Sequence, residues 1–232
     1  MSTHWEEQLA KKLFQQYKDG YDSEHQLLEL SCEAYRRVRR VFDRIVPHSG
    51  LSEADWDVIV FNTDDHDAYV LPGGKVFIST GMIDFCKSDD ELASILAHEI
   101  AHTACHHSAE GISRNLIWIP AFMISWLATG MDPDLVEIAV NVAYRLPGSR
   151  AQEREADYYG LLMMAESGYD ASACWNLWSR WEDFDKDESP SYLSTHPTHR
   201  DRTRSVLSWL KAARGQKLSY HSTGQLLRPC KE

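Results

Sequence analysis

Residues 98–102 of this chain read His-Glu-Ile-Ala-His, and this stretch decides both the fold and the chemistry that the remaining sequence must support. Side chains four residues apart lie on the same face of an α-helix, so His98 and His102 can offer imidazole nitrogens to a single metal ion. Glu99 lies one step round the helix, where its carboxylate can take a proton from a zinc-activated water. The stretch therefore predicts two zinc ligands and a general base on one helix.

The sequence also supplies the helix that this motif requires. Ser88 and Glu91 form a capping box, and acidic residues fill the first turn, where the helix dipole favours negative charge. Apolar residues then recur at helical spacing, at Leu92, Ile95 and Leu96. A chance match on an ordinary buried helix is the alternative interpretation, and the capped helical context argues against it.

A third ligand is expected because zinc in hydrolases takes three protein ligands and keeps a fourth position for water. Residues 153–157 read Glu-Arg-Glu-Ala-Asp, and Glu153 and Glu155 cannot both face a metal because they are two residues apart. We select Glu153, since its helix face carries small residues, whereas Glu155 shares a face with bulky side chains typical of ordinary packing. Asp157, one turn further, can accept the second ring N–H of His98. A solvated acidic helix face is the alternative.

Other histidines are candidates for the same site. His196 can donate to the oxyanion of a tetrahedral intermediate, or it can bind zinc as a transient fourth ligand that closes the site. A loop histidine without a role is the third possibility. His106 lies about 12 Å from His98 along a helix axis, too far to share one zinc ion. We therefore predict that His106 and His107 are polar residues near the helix end.

Four motifs, in this order along the chain, resemble those of the gluzincin family that contains the HtpX-type membrane proteases and the CAAX prenyl endopeptidases. The resemblance extends from about Asp67 to Leu210 and comprises residues 68–81, the histidine motif, residues 149–157, and Ser194-Thr195-His196-Pro197 followed by Arg202. Within this family, mitochondrial members whose activity overlaps that of the m-AAA protease are the most similar.

This resemblance implies a set of site residues and a function. The residues are the zinc ligands His98, His102 and Glu153 for one zinc ion per chain, the base Glu99, the supporting Asp157, His196 near the metal, and Arg202 as structural or oxyanion-side support. The implied function is a zinc-dependent endopeptidase that hydrolyses peptide bonds in proteins, including membrane proteins, in mitochondrial protein quality control. A self-inhibited enzyme, or a zinc-binding adaptor or chaperone-like relative without turnover, is the alternative.

The sequence departs from the mitochondrial members in its apolar and terminal segments. Residues 1–20 are polar and contain acidic side chains, unlike a transit peptide, and no stretch approaches the roughly 20 apolar residues of a spanning helix. The longest apolar run, Leu116 to Ala128, is interpreted as a buried core helix, with peripheral membrane contact as the alternative. A cytosolic, soluble protein is therefore the alternative to a location at the mitochondrial inner membrane.

Composition and charge limit the partners. The formal net charge of −11 argues against nucleic acid, which demands a basic surface. Protein or peptide substrates are the expected partners, and the sequence leaves the oligomeric state open. Five cysteines without paired spacing indicate an intracellular, reduced protein. A basic cluster at residues 36–40 is interpreted as the solvated face of a helix from about Glu24 to Ile45.

The predicted fold class is α+β, a mainly helical zincin-like domain with a small β-sheet beside the motif helix. Strands are expected at residues 56–61, 68–71 and 75–79, with a tight turn at Pro72-Gly73-Gly74, and an extended peptide could add to the free sheet edge. The expected organisation is an N-terminal helical segment at residues 1–50, a metallopeptidase domain at 51–215 and a tail at 216–232.

Overall fold

The computed structural model of this chain confirms the α+β class. It describes residues 3–24, 26–51, 55–71, 73–107, 110, 150–182, 192, 196 and 204–210. In chain order, its elements are α1 (Thr3–Ser23), α2 (Glu33–Ile45), a 3-10 turn (Val46–His48), β1 (Asp57–Phe61), β2 (Ala68–Leu71), β3 (Lys75–Ser79), α3 (Thr80–Phe85), α4 (Asp89–Ala104), α5 (Arg150–Glu166) and α6 (Ala173–Glu182). Residues 204–210 are also helical.

The three predicted strands form one small mixed sheet. Its order is β1-β3-β2, with β1 parallel and β2 antiparallel to the central β3. The turn that joins β2 to β3 holds Gly73 and Gly74 at φ 77° and 81°, in the left-handed region that favours glycine. A Cβ at Gly74 would also lie 2.8 Å from the ring of Trp56. The strand and turn predictions are therefore confirmed.

The sheet is covered on both faces because its strands alternate apolar residues with a period of two. One set, which includes Val58, Val76 and Ile78, packs into the main core with α2 and α4. The opposite set, Phe61, Leu71 and Phe77, packs against a row of aromatic side chains on α1 at Phe14, Tyr17 and Tyr21. The stacked rings of Tyr21 and Phe61 have centroids 4.3 Å apart.

Helix α4 lies at the centre of the molecule. Every residue from Glu91 to His102 is buried, and α2, α5, α6 and β2 all contact this helix. The predicted helix start is confirmed, since the Ser88 hydroxyl accepts a hydrogen bond of 3.2 Å from the Glu91 amide. The Glu91 carboxylate accepts from the amide of Lys87, at 2.8 Å. The motif residues are thus carried on a capped helix with no solvated face.

Arginines fix the first turn of α4 to two other helices. Arg180 of α6 binds the Glu91 carboxylate through two contacts of 2.8 and 2.5 Å. Arg37 of α2 donates to Asp89 at 3.0 Å and to the carbonyl of Ile83 at 3.0 Å. The interpretation of the basic cluster as a solvated face is therefore wrong for Arg37, because its guanidinium satisfies the carbonyl end of α3.

Helix α2 starts later than the apolar spacing predicts. It begins at Glu33 with Cys32 as its N-cap, instead of at about Glu24. The preceding segment runs beside β1, where the Leu28 amide donates to the Val60 carbonyl at 3.0 Å. Its backbone is thus hydrogen-bonded to a strand edge, which removes it from the helix.

Several predictions concern residues outside the described part of the chain. These are Arg202, the apolar run from Leu116 to Ala128, and the tail at residues 216–232. Among the helices that the structure describes, none combines the length and apolar character needed to cross a membrane. The domain boundaries near residues 50 and 215 stay predictions.

We expect Glu91→Gln to lower the free energy of unfolding by about 1.5–3 kcal/mol at pH 7, because Arg180 loses a charged partner at a largely buried site. Burial raises the pKa of Glu91, but Arg180 and the Lys87 amide outweigh burial and lower the pKa below its ordinary value. The stabilisation is therefore complete above the ordinary glutamate pKa of about 4.3 and disappears as pH falls through the lowered pKa.

Urea unfolding of the parent and Glu91→Gln at neutral and acidic pH checks this expectation. Glu33→Gln is the matched control, because Glu33 pairs with Arg36 at the exposed start of α2. Its cost should stay below about 0.5 kcal/mol. Equal losses in the two variants, or a Glu91→Gln loss that does not shrink in acid, would contradict the assignment.

Candidate metal centre

The site lies where α5 crosses α4 at close range. A Cβ at Gly160 of α5 would lie 3.3 Å from the amide nitrogen of His98 and 3.4 Å from the carbonyl carbon of Ala97. Ala156, one turn earlier, is fully buried. The small residues on the face of Glu153 thus permit the close approach that the sequence predicts, and they bring the Glu153 carboxylate to α4.

Four potential ligands converge at this crossing. His98 and His102 come from α4, Glu153 comes from α5, and His196 lies opposite; all four are buried, and their ligand atoms lie within 4.8 Å of one another. The Nε2 atom of His98 is 3.0 Å from His102 Nε2 and 3.2 Å from His196 Nδ1. Glu153 Oε2 is 3.5 Å from His98 Nε2 and 3.2 Å from His196 Nδ1.

The chemistry of these donors fits a metal ion. Asp157 Oδ1 lies 3.1 Å from His98 Nδ1, where the sequence predicts it, so the Nε2 lone pair of His98 is directed into the group. Imidazole nitrogens and a carboxylate oxygen are ligands that zinc accepts, and four donors suit its tetrahedral preference. His98, His102, Glu153 and His196 could therefore hold a divalent cation.

The charges within the group follow from burial and from the neighbouring carboxylates. Burial lowers the pKa of His98, but Asp157 and Glu153 outweigh burial and raise the pKa to about 9. Burial, followed by the electrostatic effects of His98 and His196, lowers the pKa of His102 well below its ordinary value. Burial raises the pKa of Glu153, yet the two histidines His196 and His98 hold it far below its usual range. The group thus contains an ionised Glu153 and a neutral His102, as metal binding requires, whereas His98 would release a proton when a metal binds.

Glu99 is also buried, beside the metal ligands, and it contacts a residue that the sequence analysis missed. The Tyr192 hydroxyl donates to Glu99 Oε1 at 3.0 Å, and His196 Nε2 lies 3.5 Å from the same oxygen. The Tyr192 ring stacks on His196 with centroids 4.5 Å apart. Burial raises the pKa of Glu99 by more than His196 and His98 lower it, so the pKa lies above its ordinary value. No motif marks Tyr192, and its spacing of four residues before His196 is the only available signal.

His107 lies just after the end of α4, as predicted, but it is buried against the site. Its Nδ1 is 2.9 Å from His102 Nδ1, and its Nε2 is 3.2 Å from Glu155 Oε2. Tyr159 and Leu162 on the face of Glu155 pack against the main core, as predicted, and Glu155 itself contacts His107. His106 is exposed, as predicted, and adopts φ 58°.

A helix that presents His-Glu-x-x-His to a glutamate from a second helix, beside a small mixed sheet, defines a zincin-type metal centre. Residues 33–210 match Peptidase family M48, and the chain belongs to this family. Curated relatives of this chain carry names that report a function, and these relatives are longer than this chain.

The chain is 35% identical over 200 residues to mitochondrial metalloendopeptidase OMA1 of Schizosaccharomyces pombe, an alignment that covers 84% of this chain and 59% of that protein. It is 38% identical over 156 residues to the Arabidopsis thaliana protein of the same name, with 67% and 32% covered. The beta-barrel assembly-enhancing protease of Escherichia coli is 26% identical over 171 residues, with 68% and 35% covered. The chain thus spans between a third and three fifths of the length of these curated relatives.

We expect Gly160→Leu to lower the free energy of unfolding by about 1–3 kcal/mol, because the new side chain must displace the α4 backbone. Gly20→Leu is the matched control, since Gly20 lies in α1 with no atom within 4 Å of an added Cβ. The control should be neutral or stabilising by up to about 1 kcal/mol, owing to the higher helix propensity of leucine. Chemical unfolding of the chelator-treated proteins measures both values, and equal effects would show that the crossing tolerates a larger residue.

Proposed function

We propose that this protein is a zinc-dependent endopeptidase that hydrolyses peptide bonds in proteins. The observation that carries the proposal is the buried convergence of His98, His102 and Glu153, with Glu99 directly beside them. Membership of family M48 and the metalloendopeptidase names of the relatives support it.

In this proposal, His98, His102 and Glu153 hold the ion, and Asp157 orients His98. A zinc ion bound there would supply positive charge that polarises the substrate carbonyl and lowers the pKa of water. Glu99 takes a proton from the attacking water and delivers it to the departing amine. The raised pKa of Glu99 suits both steps, because a carboxylate with a pKa nearer to neutral pH both accepts and releases a proton readily.

The substrate is proposed to bind as an extended strand along β2. Among the described pairings, the outer edge of β1 contacts residues 26–28, and β2 pairs with β3. Helix α4 contacts β2, and the Tyr192 amide donates to the carbonyl of His66 at 3.0 Å, just before this strand. A peptide added to β2 therefore passes beside the elements that carry Glu99 and its partner.

The position of His196 favours a closed resting arrangement. Its Nδ1 lies among the ligand atoms, 3.2 Å from both Glu153 Oε2 and His98 Nε2. A fourth protein donor there competes with water and substrate for the open position that catalysis requires. We therefore favour a self-inhibited enzyme, in which His196 must move before turnover, over a role for His196 in oxyanion stabilisation.

The relatives also support a biological setting. Two of them carry the word mitochondrial in their names, which supports a mitochondrial location for this chain. A role in protein quality control stays a prediction. Inner-membrane association, membrane-protein substrates, overlap with the m-AAA protease and membrane contact through Leu116 to Ala128 stay predictions, as does the likeness to HtpX-type and CAAX prenyl enzymes. A zinc-binding adaptor without turnover is the competing function.

We expect Glu99→Gln to reduce hydrolysis of casein by about 10²- to 10⁴-fold while zinc content is unchanged, because the variant loses the base and keeps the ligands. Zinc analysis and cleavage assays on the parent and the variant check this. Stoichiometric zinc without cleavage by the parent would favour the adaptor or the self-inhibited enzyme. Absence of zinc from both proteins would overturn the proposed function.

We expect His196→Ala to cleave casein faster than the parent, because removal of the fourth donor opens the site. His106→Asn, which changes an exposed histidine outside the site, is the control and should match the parent. A slower His196→Ala enzyme would instead assign His196 to oxyanion stabilisation, and an unchanged rate would exclude both roles.

A further inference from the structure

Two consecutive hydrogen bonds connect His102 Nδ1, the ring nitrogen that faces away from the other potential ligands, to the molecular surface. His102 Nδ1 faces His107 Nδ1 at 2.9 Å, and His107 Nε2 faces Glu155 Oε2 at 3.2 Å. The His107 side chain is 5% exposed and that of Glu155 is 50% exposed. A buried potential ligand is thereby connected through one buried imidazole to a carboxylate in contact with solvent.

The chain of bonds has one consistent assignment of protons for neutral imidazoles. An ionised carboxylate only accepts, so His107 must donate to Glu155 through Nε2–H. The Nδ1 of His107 then carries a lone pair and accepts from the Nδ1–H of His102. His102 is left with a lone pair on Nε2, the atom that lies 3.0 Å from His98 Nε2 and 3.6 Å from Glu153 Oε1. The carboxylate at the surface thus selects the His102 tautomer that can bind a metal.

The backbone creates this arrangement at a single residue. On a continuing helix, residues five apart point about 140° away from each other, so the rings of His102 and His107 would not meet. His106 adopts φ 58° directly after the α4 C-cap at Cys105, and this left-handed residue turns the chain back. The reversal places the His107 ring over His102, with centroids 4.9 Å apart.

We infer that His107 and Glu155 are positioning residues for the second histidine ligand, and this inference rests on the proposed metal centre. His98 has a directly opposed carboxylate, Asp157, whereas His102 is oriented by Glu155 through His107. Such supporting residues fix the orientation and tautomer of a ligand, and their loss weakens metal binding. Each proposed imidazole ligand is therefore contacted at its Nδ1, the ring nitrogen that does not face the metal. The buried Asp157 carboxylate contacts His98, and His107, which contacts the half-exposed Glu155, contacts His102.

Zinc affinity, measured by competition with a chelating dye, tests the inference independently of catalysis. We expect His107→Ala to weaken zinc binding by about 10- to 100-fold. His107→Asn should keep most of the zinc affinity of the parent, because the asparagine side-chain oxygen can still accept from the Nδ1–H of His102. Glu155→Leu should weaken zinc binding less than His107→Ala does, since water can reach this half-exposed position. Glu155→Gln should bind zinc nearly as tightly as the parent, because its side-chain oxygen can accept from His107. Glu33→Gln, which changes an exposed side chain at the start of α2, is the control and should bind zinc as the parent does.

The absorption spectrum of the cobalt-substituted protein gives a second readout, since a ligand that has lost its orientation changes the ligand field. Unchanged zinc affinity and an unchanged cobalt spectrum in His107→Ala would overturn the inference while leaving the proposed function intact. A His107→Asn loss as large as that of His107→Ala would overturn it too. If His107→Ala does not fold, the contrast between Glu155→Leu and Glu155→Gln decides, and equal affinities in these two would count against the relay.

Zinc stoichiometry separates the remaining alternatives. A parent with two zinc ions, one of which is lost in His107→Ala, would make Cys105, His107 and Glu155 ligands of a second ion, because their ligand atoms also lie within 4.8 Å of one another. That result would overturn the positioning role. A parent without zinc would overturn the metal centre itself and the inference with it.

Discussion

The buried stretch of α4 from Glu91 to His102 carries polar side chains, and these constrain the elements around the helix. Polar groups in the interior must be paired, because burial without a partner costs several kcal/mol. In α4, each of His98, Glu99 and His102 meets a partner from outside the helix. The close crossing of α5, the position of Tyr192 and the chain reversal after α4 all satisfy this one requirement. The site and the core are therefore parts of the same packing arrangement.

The fold follows from the sequence wherever local chemistry decides it. The alternating apolar residues of β1 and β3, the glycines of the tight turn and the cap at Ser88 all specify structure within a few residues, and all three were predicted. The start of α2 was not, because Leu27 and Leu28 fit the helical spacing of the residues that follow. Only the edge of β1, whose residues lie more than 30 positions further along the chain, directs the backbone of this segment away from a helix.

The candidate site also contains residues that the sequence predicts and residues that only the tertiary structure reveals. Spacing on one helix identifies His98, Glu99 and His102, and small residues on a second helix select Glu153 over Glu155. The contacts of Tyr192 and His107 depend instead on tertiary placement and on the left-handed turn at His106, which leaves no periodic pattern in the sequence. Supporting residues are thus harder to predict than ligands, because they are defined by what they touch and not by their spacing.

The aromatic row on α1 has a consequence for the lifetime of the protein. If α1 detached, Phe61, Leu71 and Phe77 would become a continuous apolar surface on the sheet. Surfaces of this kind promote association between sheets and recognition by factors that bind exposed apolar segments. Proteolytic removal of the first 23 residues would therefore expose the protein to aggregation or degradation.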